Sequence, residues 1–215
     1  MKNIKACIFD LDGVIVDTAK YHYLAWRKLA NELGFDFTEE QNERLKGVSR
    51  MDSLNILLEI GKVSLDEETK LRLAEKKNNC YLEYITKINK SEVLPGVEDF
   101  IKSLKKNGMK VALGSASKNA VLILKNIDMI NYFDVIIDGT KIGKAKPDPE
   151  VFLAGARELN IDAENCVVFE DAEAGIEAAK NGCMKAIAVG TSDTLKNADK
   201  IIPSFREITL DILNF

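Results

Sequence analysis

The chain opens with a short apolar run that stops at acidic residues. Residues 6–9 (Ala-Cys-Ile-Phe) are followed at once by Asp10, Leu11, Asp12 and Gly13. An uninterrupted apolar run of this length predicts a strand that is buried on both faces. Because ligands of open parallel sheets bind just beyond the carboxyl ends of the strands, Asp10 and Asp12 are the first candidates for chemistry.

The segment that follows carries the spacing of helices and no convincing strand. Apolar residues at helical intervals predict one helix that ends at Gly34, a second around residues 54–58 and a longer one over residues 66–88. This all-helical block comes directly after the first strand. It therefore predicts a helical insert, which we place at residues 17–92.

Beyond residue 93 the pattern alternates between helices and strands. An amphipathic helix is predicted near residues 97–104, and the apolar stretch 110–114 follows it as a buried strand. Further strands are predicted at 134–137, 166–169 and 185–189, with helices at 149–159 and 172–179 and a last short strand at 201–202. Strands separated by helices indicate an α/β core with a parallel sheet, covered by helices on both faces.

The composition fits a folded protein that has no general affinity for polyanions. The 215 residues are enough for one substantial domain or for a core with a smaller insert, and 46% of them are hydrophobic. A formal net charge of -4 gives no overall attraction to nucleic acid or to an anionic membrane. Any recognition of phosphate must therefore come from a local group of basic residues.

No targeting or membrane segment is predicted, and the cysteines indicate a reducing compartment. No apolar run approaches the roughly 18 residues that a membrane span needs, and the opening strand is too short for a secretory signal. Cys7, Cys80, Cys166 and Cys183 form no C-x-x-C pair, and we expect small buried residues rather than disulfides or metal ligands. The expected location is cytoplasmic.

Asp10 and Asp12 together suit a divalent cation. Two carboxylates this close repel each other unless a cation lies between them, and hard cations such as Mg²⁺ prefer oxygen ligands. An aspartate beside Mg²⁺ can also attack phosphorus and form an aspartyl phosphate. The alternative is an acidic turn without chemistry, which these two residues alone do not exclude.

Polar residues recur in the later part of the predicted core. Residues 114–119 (Gly-Ser-Ala-Ser-Lys-Asn) offer hydroxyls, backbone N–H groups and the start of a helix, which suits a phosphate but also an ordinary helix cap. Lys146 suits a transferring phosphoryl group or a place on the surface, and Glu170-Asp171 is a second acidic pair. Together with the first acidic pair, these features favour one phosphoryl-transfer site over several unrelated surface features.

These elements resemble the four motifs of haloacid dehalogenase-type phosphotransferases. Asp10-Leu11-Asp12-Gly13, Ser115, Lys146 and Glu170-Asp171 follow the order of that superfamily, and the helical insert lies where the superfamily carries a small cap. Residues 21–26 (Tyr-His-Tyr-Leu-Ala-Trp), 45–53 (Leu-Lys-Gly-Val-Ser-Arg-Met-Asp-Ser) and 115–119 are similar to its β-phosphoglucomutase family, whereas residues 138–145 add little. The resemblance implies a Rossmann-like parallel-sheet core, residues 1–16 and 93–215, and a helical cap, residues 17–92.

The resemblance also implies roles for residues of the core. Asp10 is expected to be the nucleophile and Asp12 the general acid and base. Ser115 and Lys146 are expected to hold the transferring group, whose charge lies mostly on its equatorial oxygens. Lys146 is favoured over Lys144 because a proline follows it.

One Mg²⁺ is implied as the cofactor. The Asp10 carboxylate, the Asp12 backbone carbonyl and Asp171 would bind the ion, with Glu170 as a further ligand or just behind it. Glucose 1,6-bisphosphate is implied as the activating intermediate.

In the cap, the resemblance implies a set of substrate-binding residues. Arg50 suits the non-reacting phosphate of a sugar bisphosphate, because its planar fork binds phosphate at two points, and Ser117 and Asn119 are expected on the other side of that phosphate. His22, the only histidine, is implied to couple sugar binding to Asp12. Trp26 is included, although a hydrophobic anchor is the simpler interpretation. The remaining expected substrate-binding residues are Lys46, Gly47, Val48, Ser49, Lys77, Ala116, Ser117, Lys118 and Asn119. Cap hinges are expected near residues 17–18 and 90–94.

The implied function is that of an isomerase, a phosphotransfer mutase that interconverts β-D-glucose 1-phosphate and D-glucose 6-phosphate through a phospho-aspartate. The ligand would be a small sugar phosphate, without nucleic acid or membrane partners, and the protein a monomer. One alternative is a sugar-phosphate phosphatase on the same scaffold, in which water takes the phosphoryl group. Another is a non-catalytic sugar-phosphate sensor, since a fold alone does not fix function.

Overall fold

A parallel sheet forms the centre of the molecule. The computed structural model describes residues 4–191, 195 and 197–215. Its strands are β1 (Ala6–Phe9), β2 (Lys110–Gly114), β3 (Val135–Ile137), β4 (Cys166–Glu170), β5 (Lys185–Val189) and β6 (Lys200–Ile202). They pair in the order β3-β2-β1-β4-β5-β6, and every pair is parallel. The predicted α/β class with a parallel sheet is confirmed.

Helices form the predicted insert and cover the sheet. The insert contains α1 (Ala19–Glu32), α2 (Glu39–Asn42), α3 (Arg50–Gly61) and α4 (Glu67–Ile85). The later helices, α5 (Val97–Lys106), α6 (Ala120–Asn126), α7 (Glu150–Glu158) and α8 (Glu173–Asn181), alternate with the strands. The prediction for α4 was wrong at its end, because the helix stops at Ile85 and not at residue 88. The Lys87 N–H donates to the carbonyl three residues earlier, that of Tyr84, instead of continuing the α-helical pattern.

The register of the central strands brings the predicted motifs to one edge of the sheet. β1 lies between β2 and β4, and its four residues are completely buried. Phe9 is level with Leu113 on one side and with Phe169 on the other. The next residues of these strands, Asp10 and Glu170 among them, therefore meet at the carboxyl edge, where parallel sheets bind ligands.

Hydrophobic side chains pack in two layers on the sheet and in a separate group within the insert. Phe9 stacks on Phe169 with the ring centroids 4.7 Å apart, and both rings pack against Phe100. In the insert, Trp26 and Leu54 belong to a cluster of their own. The two chain segments that join insert and sheet touch where Val16 pairs with Val93. The exact domain boundaries stay a prediction.

The prediction of buried cysteines is wrong for one of them. Cys7, Cys80 and Cys166 are buried, and none of the four cysteines forms a disulfide. Cys183 is exposed, because it lies in the turn after α8 with a φ of 60°. Among the residues described, no helix has both the length and the apolar character needed to cross a membrane.

Candidate active site

The loop after β1 places Asp10 at the centre of the carboxyl edge. Asp10 is 6% exposed, and its N–H donates to the Phe169 carbonyl at 3.0 Å. The chain then turns at Gly13, which has a φ of 78°. A Cβ at this position would lie 2.1 Å from Asp171 Oδ2. Only glycine therefore allows Asp171 to approach the loop that carries Asp10.

Lys146 links the nucleophile candidate to the second acidic pair. Its Nζ lies 2.5 Å from Asp10 Oδ1 and 2.6 Å from Glu170 Oε1, and the residue is 3% exposed. Burial lowers the pKa of Lys146, but the contacts with both carboxylates outweigh burial and raise it. Lys144, by contrast, is exposed and lies 3.3 Å from Asp148. Lys146, and not Lys144, is therefore the lysine that contacts Asp10.

Glu170 lies behind the site, held in place by its neighbours. Its second oxygen accepts a hydrogen bond from the Ala172 N–H at 2.8 Å. The carboxylate passes so close to α8 that a Cβ on Gly175 would lie 1.8 Å from Oε1. Both oxygens of Glu170 are therefore already partnered. This favours a role for Glu170 in fixing Lys146 rather than in binding substrate.

Three carboxylates could hold a metal ion at this edge. Asp10, Glu170 and Asp171 each offer an oxygen, and these oxygens all lie within 4.8 Å of one another. Burial, with smaller contributions from the other carboxylates, raises the pKa of Asp171 far above its usual value, and it also raises the pKa of Asp10 despite Lys146. Lys146 and Lys46 lower the pKa values of these carboxylates but do not cancel the effect of burial. The oxygen-rich set therefore fits a hard divalent cation.

The Asp12 carboxylate is not one of these three clustered groups. It accepts a hydrogen bond from the Thr18 hydroxyl, and one of its oxygens lies 3.9 Å from Nε2 of His22. Burial raises the pKa of Asp12, while the bond from Thr18 opposes that shift. A carboxyl group that holds its proton more tightly than usual is suited to general acid chemistry.

His22, Lys77 and two aromatic rings form a compact group beside Asp12. Lys77 Nζ lies 2.8 Å from His22 Nδ1 and within 5.0 Å of the ring centroids of Trp26 (4.5 Å) and Tyr81 (4.9 Å). Burial, followed by the nearby Arg50, lowers the pKa of Lys77 to about 7. Burial also keeps the pKa of His22 well below its usual value. This shift favours the neutral ring of His22. If the Lys77 ammonium donates to Nδ1 of that ring, the ring hydrogen is on Nε2, which lies 3.9 Å from Asp12.

Every predicted site residue except Glu170 lines a single cavity of about 310 Å³. The insert contributes the cations Lys46, Arg50 and Lys77, and the core contributes the carboxylates and Lys146. Lys46 Nζ lies 3.9 Å from Asp171 Oδ2. Within the described part of the chain, the Arg50 guanidinium has no hydrogen-bond or ion-pair partner, and burial lowers its pKa. The cavity is therefore lined by cations from both the insert and the core, Lys118 and Lys144 included, and its carboxylates come from the core.

The loop after β2 forms another wall of the cavity. Ser115 and Ser117 accept hydrogen bonds from the backbone N–H groups of Ser117 and Asn119, at 3.1 and 3.2 Å. The loop thus holds itself in shape through its own hydroxyls. α6 begins at Ala120, directly after Asn119, as the pattern predicted, and is 7 residues long.

Sequence reasoning missed several residues that line the same cavity. Asn42 and Tyr81 are both buried, and the Asn42 amide oxygen and the Tyr81 hydroxyl have no hydrogen-bond partner among the described residues. Ser53 and Asn78 also line the cavity, although neither was among the expected substrate-binding residues. Residues 139 and 142–145, which added little to the resemblance, form part of the wall. Only their proximity to Lys146 in the sequence could have signalled this.

The comparisons with known proteins agree with this geometry. The chain matches the haloacid dehalogenase-like hydrolase family over residues 4–182. It belongs to this family. It is 40% identical over 213 residues to β-phosphoglucomutase from Bacillus subtilis, which covers 98% of this chain and 94% of that protein.

Two further relatives place the chain within the haloacid dehalogenase family. The crystal structure of β-phosphoglucomutase from Clostridium difficile superposes with a TM-score of 0.94 at 45% identity, covering 98% of this chain and 96% of that one. A phosphorylated carbohydrates phosphatase from Thermotoga maritima is 35% identical over 187 residues, 86% of this chain and 84% of that protein. The predicted membership of the superfamily is confirmed, and relatives with mutase and with phosphatase names both occur in it.

Proposed function

We propose that the chain is a Mg²⁺-dependent phosphotransfer mutase that interconverts β-D-glucose 1-phosphate and D-glucose 6-phosphate. Two of its relatives, from Bacillus subtilis and Clostridium difficile, are named β-phosphoglucomutases, and each matches nearly the whole chain. The proposal includes a phospho-aspartate on Asp10 and glucose 1,6-bisphosphate as the intermediate. It keeps the expectation of a monomeric, cytoplasmic enzyme whose ligand is a small sugar phosphate.

In this proposal the core residues carry the phosphoryl transfer. Asp10 attacks phosphorus, while Lys146 and Ser115 hold the transferring oxygens, whose charge grows in the transition state. Asp12 gives its proton to the departing sugar oxygen and takes one from the attacking hydroxyl. Mg²⁺, bound by Asp10, the Asp12 carbonyl and Asp171, would neutralise charge on the phosphoryl group.

The observation that carries the proposal is the cation Arg50, which the insert contributes to the same cavity as the carboxylates of the core. A mutase binds its bisphosphate in two orientations, so the phosphate that does not react needs an anchor each time. Arg50 lines the cavity from the insert, and its guanidinium has no protein partner in the described residues. Such a guanidinium can bind phosphate through two parallel hydrogen bonds. A phosphatase needs no such anchor for many of its substrates.

Replacing Arg50 tests the proposal. Arg50→Ala should reduce glucose 6-phosphate formation by roughly two orders of magnitude, since charged hydrogen bonds contribute about 1.5–3 kcal/mol each. Transfer from acetyl phosphate to Asp10, and its slow hydrolysis, should persist. Arg50→Lys should restore only part of the mutase rate, because an ammonium lacks the planar fork. Both rates are measured on the same preparations.

The matched control is Arg44→Ala. Arg44 is an exposed residue of the same insert, 3.1 Å from Glu59 and outside the cavity. This variant should keep both activities. If Arg50→Ala lowers acetyl phosphate hydrolysis as much as mutase activity, Arg50 supports the shared chemistry or the fold. If it lowers neither, the mutase proposal loses its main structural support.

A sugar-phosphate phosphatase is the second candidate, favoured by the phosphatase name of the Thermotoga maritima relative. Here water would take the phosphoryl group from Asp10. Incubation with β-glucose 1-phosphate, a trace of bisphosphate and Mg²⁺ separates the two, because a mutase forms glucose 6-phosphate and a phosphatase releases free phosphate. Neither product would form with a non-catalytic sensor.

A further inference from the structure

Two neighbouring asparagines on α4 face different parts of the molecule. Asn78 lines the central cavity together with Lys77. Asn79 is exposed and lines a separate groove on the outside of the insert, between α1 and α4, near Glu32 and Arg72. The two residues have the same side chain and the same helix, so they differ only in what they face.

Asn78 contacts the opposite side of the cavity. The Asn119 Nδ2 group donates a hydrogen bond to Asn78 Oδ1 at 3.0 Å, although the residues are 41 positions apart. Asn78 belongs to the helical insert, whereas Asn119 ends the loop after β2 in the core. The Asn119 backbone is held separately, because its N–H donates to the Ser117 hydroxyl at 3.2 Å. Backbone and side chain of Asn119 are thus fixed from two different sides.

Two contacts of ionisable groups between insert and core at the cavity are of a different kind, and His22 Nε2 lies 3.9 Å from Asp12 in one of them. Lys46 and Asp171 approach to 3.9 Å, an ionic contact that tolerates changes in direction and distance. A hydrogen bond between two amides requires both the right separation and the right orientation. Asn78 and Asn119 can therefore meet only while α4 lies over the loop after β2.

We propose that Asn78 is a positioning residue that fixes the Asn119 amide for the non-reacting phosphate whenever the insert closes over the core. One N–H of the amide is given to Asn78, which leaves the second N–H and the oxygen in a fixed plane. This inference rests on the proposed function for the identity of the ligand, and on the Asn78–Asn119 contact for the role of the residue. Asn78 touches Asn119 and acts through it.

A double-mutant cycle on ligand binding tests this role. The dissociation constant of glucose 6-phosphate is measured by calorimetry for the wild type, Asn78→Ala, Asn119→Ala, the double variant and Asn79→Ala. Asn78→Ala should weaken binding about 3- to 10-fold, the range of a single neutral hydrogen bond. Because Asn78 acts through Asn119, the double variant should bind no more weakly than Asn119→Ala alone. Asn79→Ala should bind like the wild type.

A second readout follows the lifetime of the phosphorylated enzyme. After loading with acetyl phosphate, Asn78→Ala should lose its phosphoryl group to water faster than Asn79→Ala, because closure of the insert excludes water less well. If Asn78 only stabilised α4, Asn78→Ala would lower the melting temperature, but its phosphorylated form would lose the phosphoryl group no faster than that of Asn79→Ala.

Several results would overturn the inference. They are additive losses of affinity for Asn78→Ala and Asn119→Ala, equal effects of Asn78→Ala and Asn79→Ala, and failure of the wild type to bind glucose 6-phosphate. The mutase proposal fails separately, if the wild type binds glucose 6-phosphate but forms none from β-glucose 1-phosphate. The binding cycle still decides the role of Asn78 in that case.

Discussion

Gly175 offers a sharp test of the arrangement behind the active site. In most helices a glycine-to-alanine change stabilises the protein by about 1 kcal/mol, because alanine has the higher helix propensity. At Gly175 the added Cβ would lie 1.8 Å from Glu170 Oε1 and 2.1 Å from its carboxyl carbon. Glu170 is completely buried, so its carboxylate would have to leave the position in which it binds Lys146.

The magnitude follows from the two hydrogen bonds that Glu170 would lose. Bonds from Lys146 Nζ at 2.6 Å and from the Ala172 N–H at 2.8 Å hold the carboxylate. Hydrogen bonds to charged groups contribute about 1.5–3 kcal/mol each. After the gain of about 1 kcal/mol in helix propensity, Gly175→Ala should destabilise the protein by about 2–5 kcal/mol. Lys146 would also lose one of its two carboxylate partners and change its position relative to Asp10. Displacements of about 1 Å in an active site lower the rate about 100-fold.

Gly155→Ala is the matched control. Gly155 is a helical glycine of α7, and a Cβ there would meet its nearest atom, Ile8 Cδ1, at an ordinary 3.5 Å. This variant should be as stable as the wild type or about 1 kcal/mol more stable. Urea unfolding followed by circular dichroism gives the stabilities, and acetyl phosphate hydrolysis gives the activity. If Gly175→Ala were as stable and as active as Gly155→Ala, the described packing of Glu170 against α8 would be wrong.

Three further predictions concern the catalytic and binding residues. Asp10→Asn should lower mutase and acetyl phosphate activity by at least three orders of magnitude, since an amide is not a nucleophile for phosphorus, and residual activity above about a thousandth would indicate another nucleophile. Asp12→Ala should slow transfer by about two to four orders of magnitude, with little change in phosphate affinity, and an effect on KM alone would contradict an acid–base role. Lys77, with a pKa lowered to about 7, loses its charge as the pH rises through 7 in the free enzyme, whereas a bound phosphate favours the charged form. Binding of a sugar phosphate near pH 8 should therefore take up protons, and the affinity should fall by up to about tenfold for each unit by which the pH rises. Calorimetry in buffers of different ionisation enthalpy measures this proton uptake, which should be absent in Lys77→Met.

The sequence alone was sufficient for the sheet and for the residues at its carboxyl edge. Burial on both faces requires unbroken apolar runs, so β1, β2 and β4 stand out in the hydrophobic pattern of the chain. The end of such a run marks the edge at which ligands bind. Asp10, Ser115 and Glu170 were found in this way, because their signal lies in their own neighbours along the chain.

The sequence could not decide contacts between residues that are distant along the chain. The proline after Lys146 favoured it over Lys144, but only the contact between Lys146 and Asp10, 136 positions away, shows which lysine reaches the site. Asn78 and Asn79 are likewise identical until α4 packs beside the cavity. The need for glycine at position 175 depends on the buried carboxylate of Glu170, and the exposure of Cys183 depends on the turn after α8. Periodicity reports whether a residue is buried, whereas the partner of a buried polar group is set by packing between elements, and only the tertiary structure determines that.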